Sequence, residues 1–226
     1  MPPRPKFTHD ELVGAALDLV REQGVESLTA RELGKRLGAS SSPIFTMFKD
    51  MEELKNAVHA QAKQMFDRYM AVAEDYFPSY KMRGMQWVRF AREEPNLFRL
   101  LFERNLRENL NFDDAVEALP FGREDDITII MRDYHASREQ AERLFRQMWI
   151  HTYGLCVLSA SRVCVLSDEE IAQLLGEVFT GMIHVLHSGD AFMAIRPVLK
   201  ADADALRSQA PDLRESGRHY GAYHRH

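Results

Sequence analysis

Ser41, Ser42, Thr46 and Met47 are the side chains whose types and spacing point most directly to a chemistry. They lie in the stretch Leu28 to Phe48, which scans as a short capped helix, a glycine turn and a second short helix. Hydroxyls and a thioether on the outward face of that second helix suit base-pair edges, which present donors, acceptors and the thymine methyl in the major groove. Other groupings carry less. His184 and His187 stand i, i+3 on one helix, but no carboxylate or thiol at ligand spacing joins them, so no metal is expected. Cys156 and Cys164 lack a Cys-x-x-Cys spacing and fit a reducing compartment. The spacing of a nucleophile, base and acid is missing, as is a glycine loop for phosphate, so neither catalysis nor a cofactor is expected.

The elements that must position the reading residues are legible as capped helices. Thr29 with Glu32 forms a capping box, flanked by Leu28 and Leu33 as a hydrophobic staple. Ala30, Leu33 and Leu37 follow at spacings of three and four, and Gly38 permits a steep turn. Ser40 is expected to cap the next helix, Pro43 is tolerated in its first turn, and Ile44, Phe45 and Phe48 are expected to pack it down. Upstream, Thr8 and Glu11 repeat the box ahead of Leu12, Ala16, Leu19 and Val20, with Gly24 as the stop. Asp50 and Glu53 open a longer helix striped by Leu54, Val58, Ala62, Phe66 and Tyr69. Residues 1–49 therefore read as a three-helix DNA-binding head, from which the fourth helix leaves as a rod.

In order and spacing, Ala15 to Val20 with Gly24, Leu28 to Leu33, Leu37 to Ser40, and Phe48 followed by Leu54 resemble the TetR-type (TetR/AcrR) bacterial transcription regulators. The resemblance implies that Ser41, Ser42, Thr46 and Met47 approach the bases, while Thr29, Arg31, Ser40, Phe45 and Lys49 position the head on the phosphate backbone. Two positions depart from the family pattern: Phe45 stands where a tyrosine is usual, and Met51 where a lysine is usual. Lys49 and Lys55 bracket the second. Arg4 and Lys6 form a basic arm, which in similar proteins follows the backbone or enters the minor groove.

Charge limits how strongly the head can hold DNA. The net charge is -5, and residues 1–55 carry eight basic and nine acidic side chains, so no basic bulk advertises a nucleic-acid partner. Distribution matters more. Arg4, Lys6, Arg31, Lys35, Arg36, Lys49 and Lys55 gather around the reading helix, whereas Asp10, Glu11, Asp18 and Glu22 belong to the first helix. Few phosphate contacts per subunit predict salt-sensitive affinity and a need for two subunits on one operator.

Beyond residue 75 the chain reads as helix after helix. Lys81 to Glu94 and the segment opened by Pro95 are amphipathic, residues 109–123 lack a sustained stripe and read as a connection, and Glu124 to His135 is a short helix. Serine boxes at Ser137 and Ser167 open two long helices. The first is apolar on more than one face, which one core cannot easily cover. In the family it resembles, the last two long helices pair with their symmetry mates. That resemblance implies a homodimer on palindromic double-stranded DNA, with Phe145, Met148, Val157, Leu175, Phe179, Met182 and Leu186 at the interface.

Residues 86–98, and Trp149 ahead of the run from His151 to Gly154, are similar to a ligand-domain subtype of that family. This implies a cavity for a small apolar or amphipathic effector, with Trp87, Phe90, Phe98, Phe102, Met131, Trp149, His151, Tyr153 and Cys156 as candidate lining. For any single one of these side chains, plain core is the commoner role.

With 226 residues and 45% hydrophobic composition the chain can bury a substantial core. It has no bilayer-length apolar run and no signal-peptide block, so a cytoplasmic protein without membrane contact is expected. The sequence thus predicts an all-α protein: the helix-turn-helix head, an effector-binding and dimerisation body over 50–210, and a polar, disordered, histidine-bearing tail over 211–226. The expected function is a repressor released from its operator by a ligand. The alternatives are a helical carrier or enzyme that keeps the helix-turn-helix as scaffold, and a ligand-independent DNA-binding dimer.

Overall fold

The protein is seen in a computed structural model that describes residues 7–103, 110–119 and 122–188, and these form ten α-helices and no strand. The basic arm at Arg4 and Lys6, the segment 190–210 and the tail lie outside the described residues.

The head begins with α1 (His9–Gln23), where the Glu11 N–H donates to Thr8 Oγ1 at 3.2 Å and the Thr8 N–H donates to the Glu11 carboxylate at 2.7 Å. Its inward face buries Leu12, Ala16 and Val20 completely. In α2 (Ala30–Arg36), Thr29 Oγ1 accepts from the Glu32 N–H at 3.2 Å, but the reciprocal half of the expected box is not made; the Glu32 carboxylate lies 4.0 Å from Lys35 Nζ. Gly38 turns the chain at φ +59°. Gly34 is needed for a different reason: a Cβ there would stand 3.0 Å from the Ala39 carbonyl oxygen, because the turn folds back tightly onto α2.

Two expectations about α3 (Ser42–Met47) are corrected. Ser41, not Ser40, is the residue before the helix, and its side chain makes no capping hydrogen bond; Pro43 in the first turn removes one of the donors that a cap would satisfy. Phe45 does not pack down but is 49% exposed. In so short a helix only one face reaches the core, and Ile44 and Phe48 occupy it, assisted by a partly buried Met47. Phe45, about 100° around the helix from Ile44, is turned away.

The rod α4 (Met51–Ala71) opens on Asp50, which accepts from the Glu53 N–H at 2.9 Å. It carries Leu54 and Val58 in the head and Phe66 in the body, where Phe66 meets Phe90 and Phe102 edge-on at 5.3 and 5.1 Å between ring centroids. The body continues with α5 (Ser79–Glu93) and α6 (Pro95–Phe102). Residues 109–123, expected as a connection, contain α7 (Phe112–Glu117). Asn111 caps it, Val116 is fully buried, and Arg146 lies 4.7 Å from the Phe112 ring centroid while pairing with Asp113 at 3.1 Å. Tertiary anchors hold a helix too short for periodicity to reveal. Next come α8 (Arg123–Tyr134), α9 (Arg138–Ala160) and α10 (Asp168–Ser188). The expected serine boxes open the last two, Ser137 with Gln140 and Ser167 with Glu170. Central α5 packs against α4, α6, α8, α9 and α10. No helix among the described residues is long and apolar enough to cross a membrane.

Candidate nucleic-acid interface and ligand cleft

On the head, Ser42, Phe45 and Thr46 form the exposed face of α3, with Ser41 half-buried beside them. Thr46 Oγ1 donates to the Ser42 carbonyl at 3.1 Å, so its lone pairs stay available as acceptors. Thr29, Arg31, Ser40 and Lys49 are exposed around this face. Met47, expected to face outward, is instead partly buried against the core.

Ion pairs within the head thin the basic ring. Arg36 makes a bidentate pair with Glu22, both bonds 2.8 Å, and lies 3.9 Å from Asp18, while Lys55 bonds Glu52 at 2.7 Å. The Arg36 hydrogen bonds hold the Glu22 carboxyl below its usual range. The first helix thus neutralises part of the charge that composition seemed to offer. Arg31 and Lys49 make no ion pair among the described residues.

In the body, a narrow apolar cleft with a cavity volume of about 30 Å³ runs between α5, α9 and α10, with Asp126 of α8 in its wall. The lining follows from helical spacing. Helix α5 contributes Tyr80, Arg83 with Gly84, and Trp87; α9 contributes Phe145, Met148 with Trp149, and Thr152; α10 contributes Leu175 and Phe179. Among these apolar walls Arg83 Nε donates to Asp126, a residue only 2% exposed. Burial pushes the Asp126 carboxyl up to about 6 against the opposing pull of Arg83. Burial likewise raises the Tyr80 hydroxyl well above its ordinary value, and the Asp126 charge adds to that.

Only Trp87 and Trp149 of the expected lining face this cleft; their ring centroids are 5.7 Å apart. Phe90, Phe98 and Phe102 are completely buried in the aromatic core. Cys156 is also fully buried, and desolvation pushes its thiol up. Met131 is a surface residue, 36% exposed. Tyr153 stacks behind Trp149 at 5.0 Å and donates to the Phe102 carbonyl at 3.4 Å. His151 is half-buried outside the cleft lining, with its Nε2 enclosed and lacking a hydrogen-bond partner among the described residues.

The expected interface also divides. Phe145, Met148 and Leu175 are buried within one subunit and line the cleft, so they have no surface to offer a partner. Phe179 also lines the cleft, with its ring 4.7 Å from that of Tyr134, but it is only partly buried. Val157, Met182 and Leu186 remain partly exposed. Sequence reasoning missed Tyr80, Arg83, Asp126 and Thr152. The available signal was Arg83, a charge three residues after Tyr80 and four before Trp87 on the same helical row. Among the described residues no three His, Cys, Asp or Glu side chains converge to hold a metal.

Head and body are tied at the corner between α5 and α6. Arg21 of α1 donates to both carboxylate oxygens of Glu94, and Asn96 Nδ2 donates to the Arg21 carbonyl at 2.8 Å. The same corner reaches the last two helices. Arg99 donates to the Ala160 carbonyl at 2.7 Å, and Arg92 pairs with Asp168 at 2.7 Å.

Residues 12–58 match the sequence model of bacterial regulatory proteins, tetR family, a span running from α1 into α4. No curated protein sequence matches the chain significantly. Among solved structures, a TetR-like transcriptional regulator from Rhodococcus sp. RHA1 superposes with a TM-score of 0.59 at 12% identity, over 82% of this chain and 100% of that one. A protein described as a TetR-family transcriptional regulator, from Mesorhizobium loti MAFF303099, gives 0.51 at 14% identity, over 77% and 94%. At such identities these two establish likeness of fold, and the matched head adds the sequence signature. By sequence the head is similar to the tetR family of bacterial regulatory proteins over residues 12–58, and by fold the chain is similar to two TetR-like transcriptional regulators.

Proposed function

We propose that this protein is a cytoplasmic homodimeric repressor that leaves a palindromic operator when an apolar or amphipathic molecule enters the cleft. One observation carries the reading: α5 serves both sites. Its residues Tyr80, Arg83 and Trp87 wall the cleft, and Glu94, which follows its last turn, grips Arg21 of the DNA-binding head. A ligand that repositions α5 changes where the head is held. The effector shifts operator occupancy only by its differential affinity for the two arrangements.

Dimerisation is supported by the outer faces of α9 and α10. Ile150 and Leu158 are 51% and 40% exposed and stand one turn to either side of Gly154. A Cβ at Gly154 or at Gly181 of α10 would meet nothing within 4 Å in the subunit, so the fold of one subunit does not require glycine at either position. Mid-helix glycine costs about 1 kcal/mol relative to alanine, a cost that close approach of a partner helix offsets.

Selection of bound fragments from randomised duplex DNA, with and without a panel of organic compounds, tests the proposal. A recovered palindrome that is lost with one compound is the expected result. A palindrome insensitive to every ligand found to bind the cleft removes the sensor role, and no enrichment at low salt removes the operator.

A further inference from the structure

The proposed effector cleft has an uneven charge balance. Its charged lining consists of Lys81, Arg83 and Asp126, two cations against one carboxylate, in a slot otherwise walled by rings and aliphatic side chains. Arg83 spends only its Nε on Asp126, which leaves its two terminal nitrogens without a hydrogen bond among the described residues. Lys81 is exposed and makes no ion pair among the described residues. Its Nζ lies 3.4 Å from where a Cβ on Gly176 would be, so that glycine lets the ammonium lie against α10 beside the cleft.

We propose, on the reading of this cleft as the effector site, that it takes a flat aromatic acid whose anionic group sits between Lys81 and Arg83 and whose ring lies against Trp87 and Trp149. Two cations against one carboxylate leave a net positive charge at the slot, and guanidinium and ammonium donors match a carboxylate directly. A cationic ligand would instead bring a third positive charge to a site whose single carboxylate is already engaged. Narrowness between aromatic faces selects a planar ring over a bulky aliphatic one. The raised Asp126 carboxyl is consistent with this, since it gives up its charge to a proton more readily than an ordinary aspartate when a second anion reaches Arg83.

Calorimetric titration of the full-length protein with 2-naphthoate, 2-naphthalenemethanol and 2-naphthylmethylammonium holds the ring constant while the charge runs from negative to positive. The acid should bind at least tenfold tighter than the alcohol, and the ammonium should be weakest. Lys81→Gln, at an exposed position, should cut the preference for acid over alcohol several-fold without changing alcohol affinity. Equal or tighter binding of the alcohol or the ammonium overturns the anionic class but keeps the cleft as a ligand site. An acid preference unchanged in Lys81→Gln overturns the assigned position of the anion. Failure of all three to bind overturns both the class and the effector reading on which it rests.

Discussion

Arg21 and Glu94 join the DNA-binding head to the helix that walls the cleft: Arg21 Nε donates to Glu94 Oε2 at 2.8 Å while Nη2 donates to Oε1. The Glu94 side chain is 11% exposed and that of Arg21 41%, so the pair is shielded on one side only. Arg21→Ala leaves a largely buried carboxylate without its partner and should lower stability by about 1–3 kcal/mol. Arg36→Ala, which breaks the exposed pair with Glu22, should cost less. Denaturant unfolding of the two variants checks the order. Arg21→Ala should also weaken the effect of any effector on operator occupancy, measured by fluorescence anisotropy.

Ser42 and Thr46 present the polar face of α3. Ser42→Ala combined with Thr46→Ala should reduce discrimination between operator and random DNA by about 1–3 kcal/mol per lost base contact, with the fold intact. Arg31→Ala should weaken binding to all sequences alike and lower the salt slope by about 1. Competition binding across a salt series separates the two effects.

Ile150 and Leu158 lie on the outer face of α9, and both are exposed in the subunit. Ile150→Glu with Leu158→Glu should give a folded monomer that no longer binds the operator. Sedimentation reports the mass and circular dichroism the fold; a variant that stays dimeric places the interface elsewhere. Phe179→Glu is a poorer probe, since Phe179 lines the cleft and packs on Tyr134.

Gly34 faces the Ala39 carbonyl across the turn of the helix-turn-helix. Alanine normally stabilises a helix by about 1 kcal/mol over glycine. Here a Cβ would stand 3.0 Å from backbone that cannot easily yield, so Gly34→Ala should lower the melting temperature. An increase would show that the turn relaxes.

Asp126 gives a pH dependence of defined sign. Its carboxyl titrates near 6 in the fold against an ordinary value of 3.8, so between those values the folded state binds the proton that the unfolded chain releases. Its contribution to stability therefore falls as pH rises from about 4 to about 6 and levels off above, a change on the order of 1–3 kcal/mol. Asp126→Asn removes this slope. Unfolding free energies of both proteins at pH 4.5 and 7.5 should show the wild type losing ground to the variant as pH rises.

By itself the sequence determined the all-helical class and the starts of the helices opened by a capping box. A capping box is a local event between a hydroxyl and backbone three residues on, so Thr8, Ser137 and Ser167 announce their helices without knowledge of the fold. The head was legible for the same reason, because its turn is set by residues close in sequence, Gly34 and Gly38 among them. Which apolar residues meet each other was decided only by tertiary packing. Trp87, Phe90 and Phe102 are alike in type, yet one walls a cleft and two fill the core, since that depends on how α5 and α6 sit against α4 and α9. Pairing over long separations was equally hidden. Arg83 with Asp126 and Arg21 with Glu94 join residues 43 and 73 positions apart, and no periodicity records which charge a guanidinium will find. The sequence fixes local hydrogen bonds and helix faces; the arrangement of those faces, a balance of many weak contacts at once, creates the cleft and its link to the head.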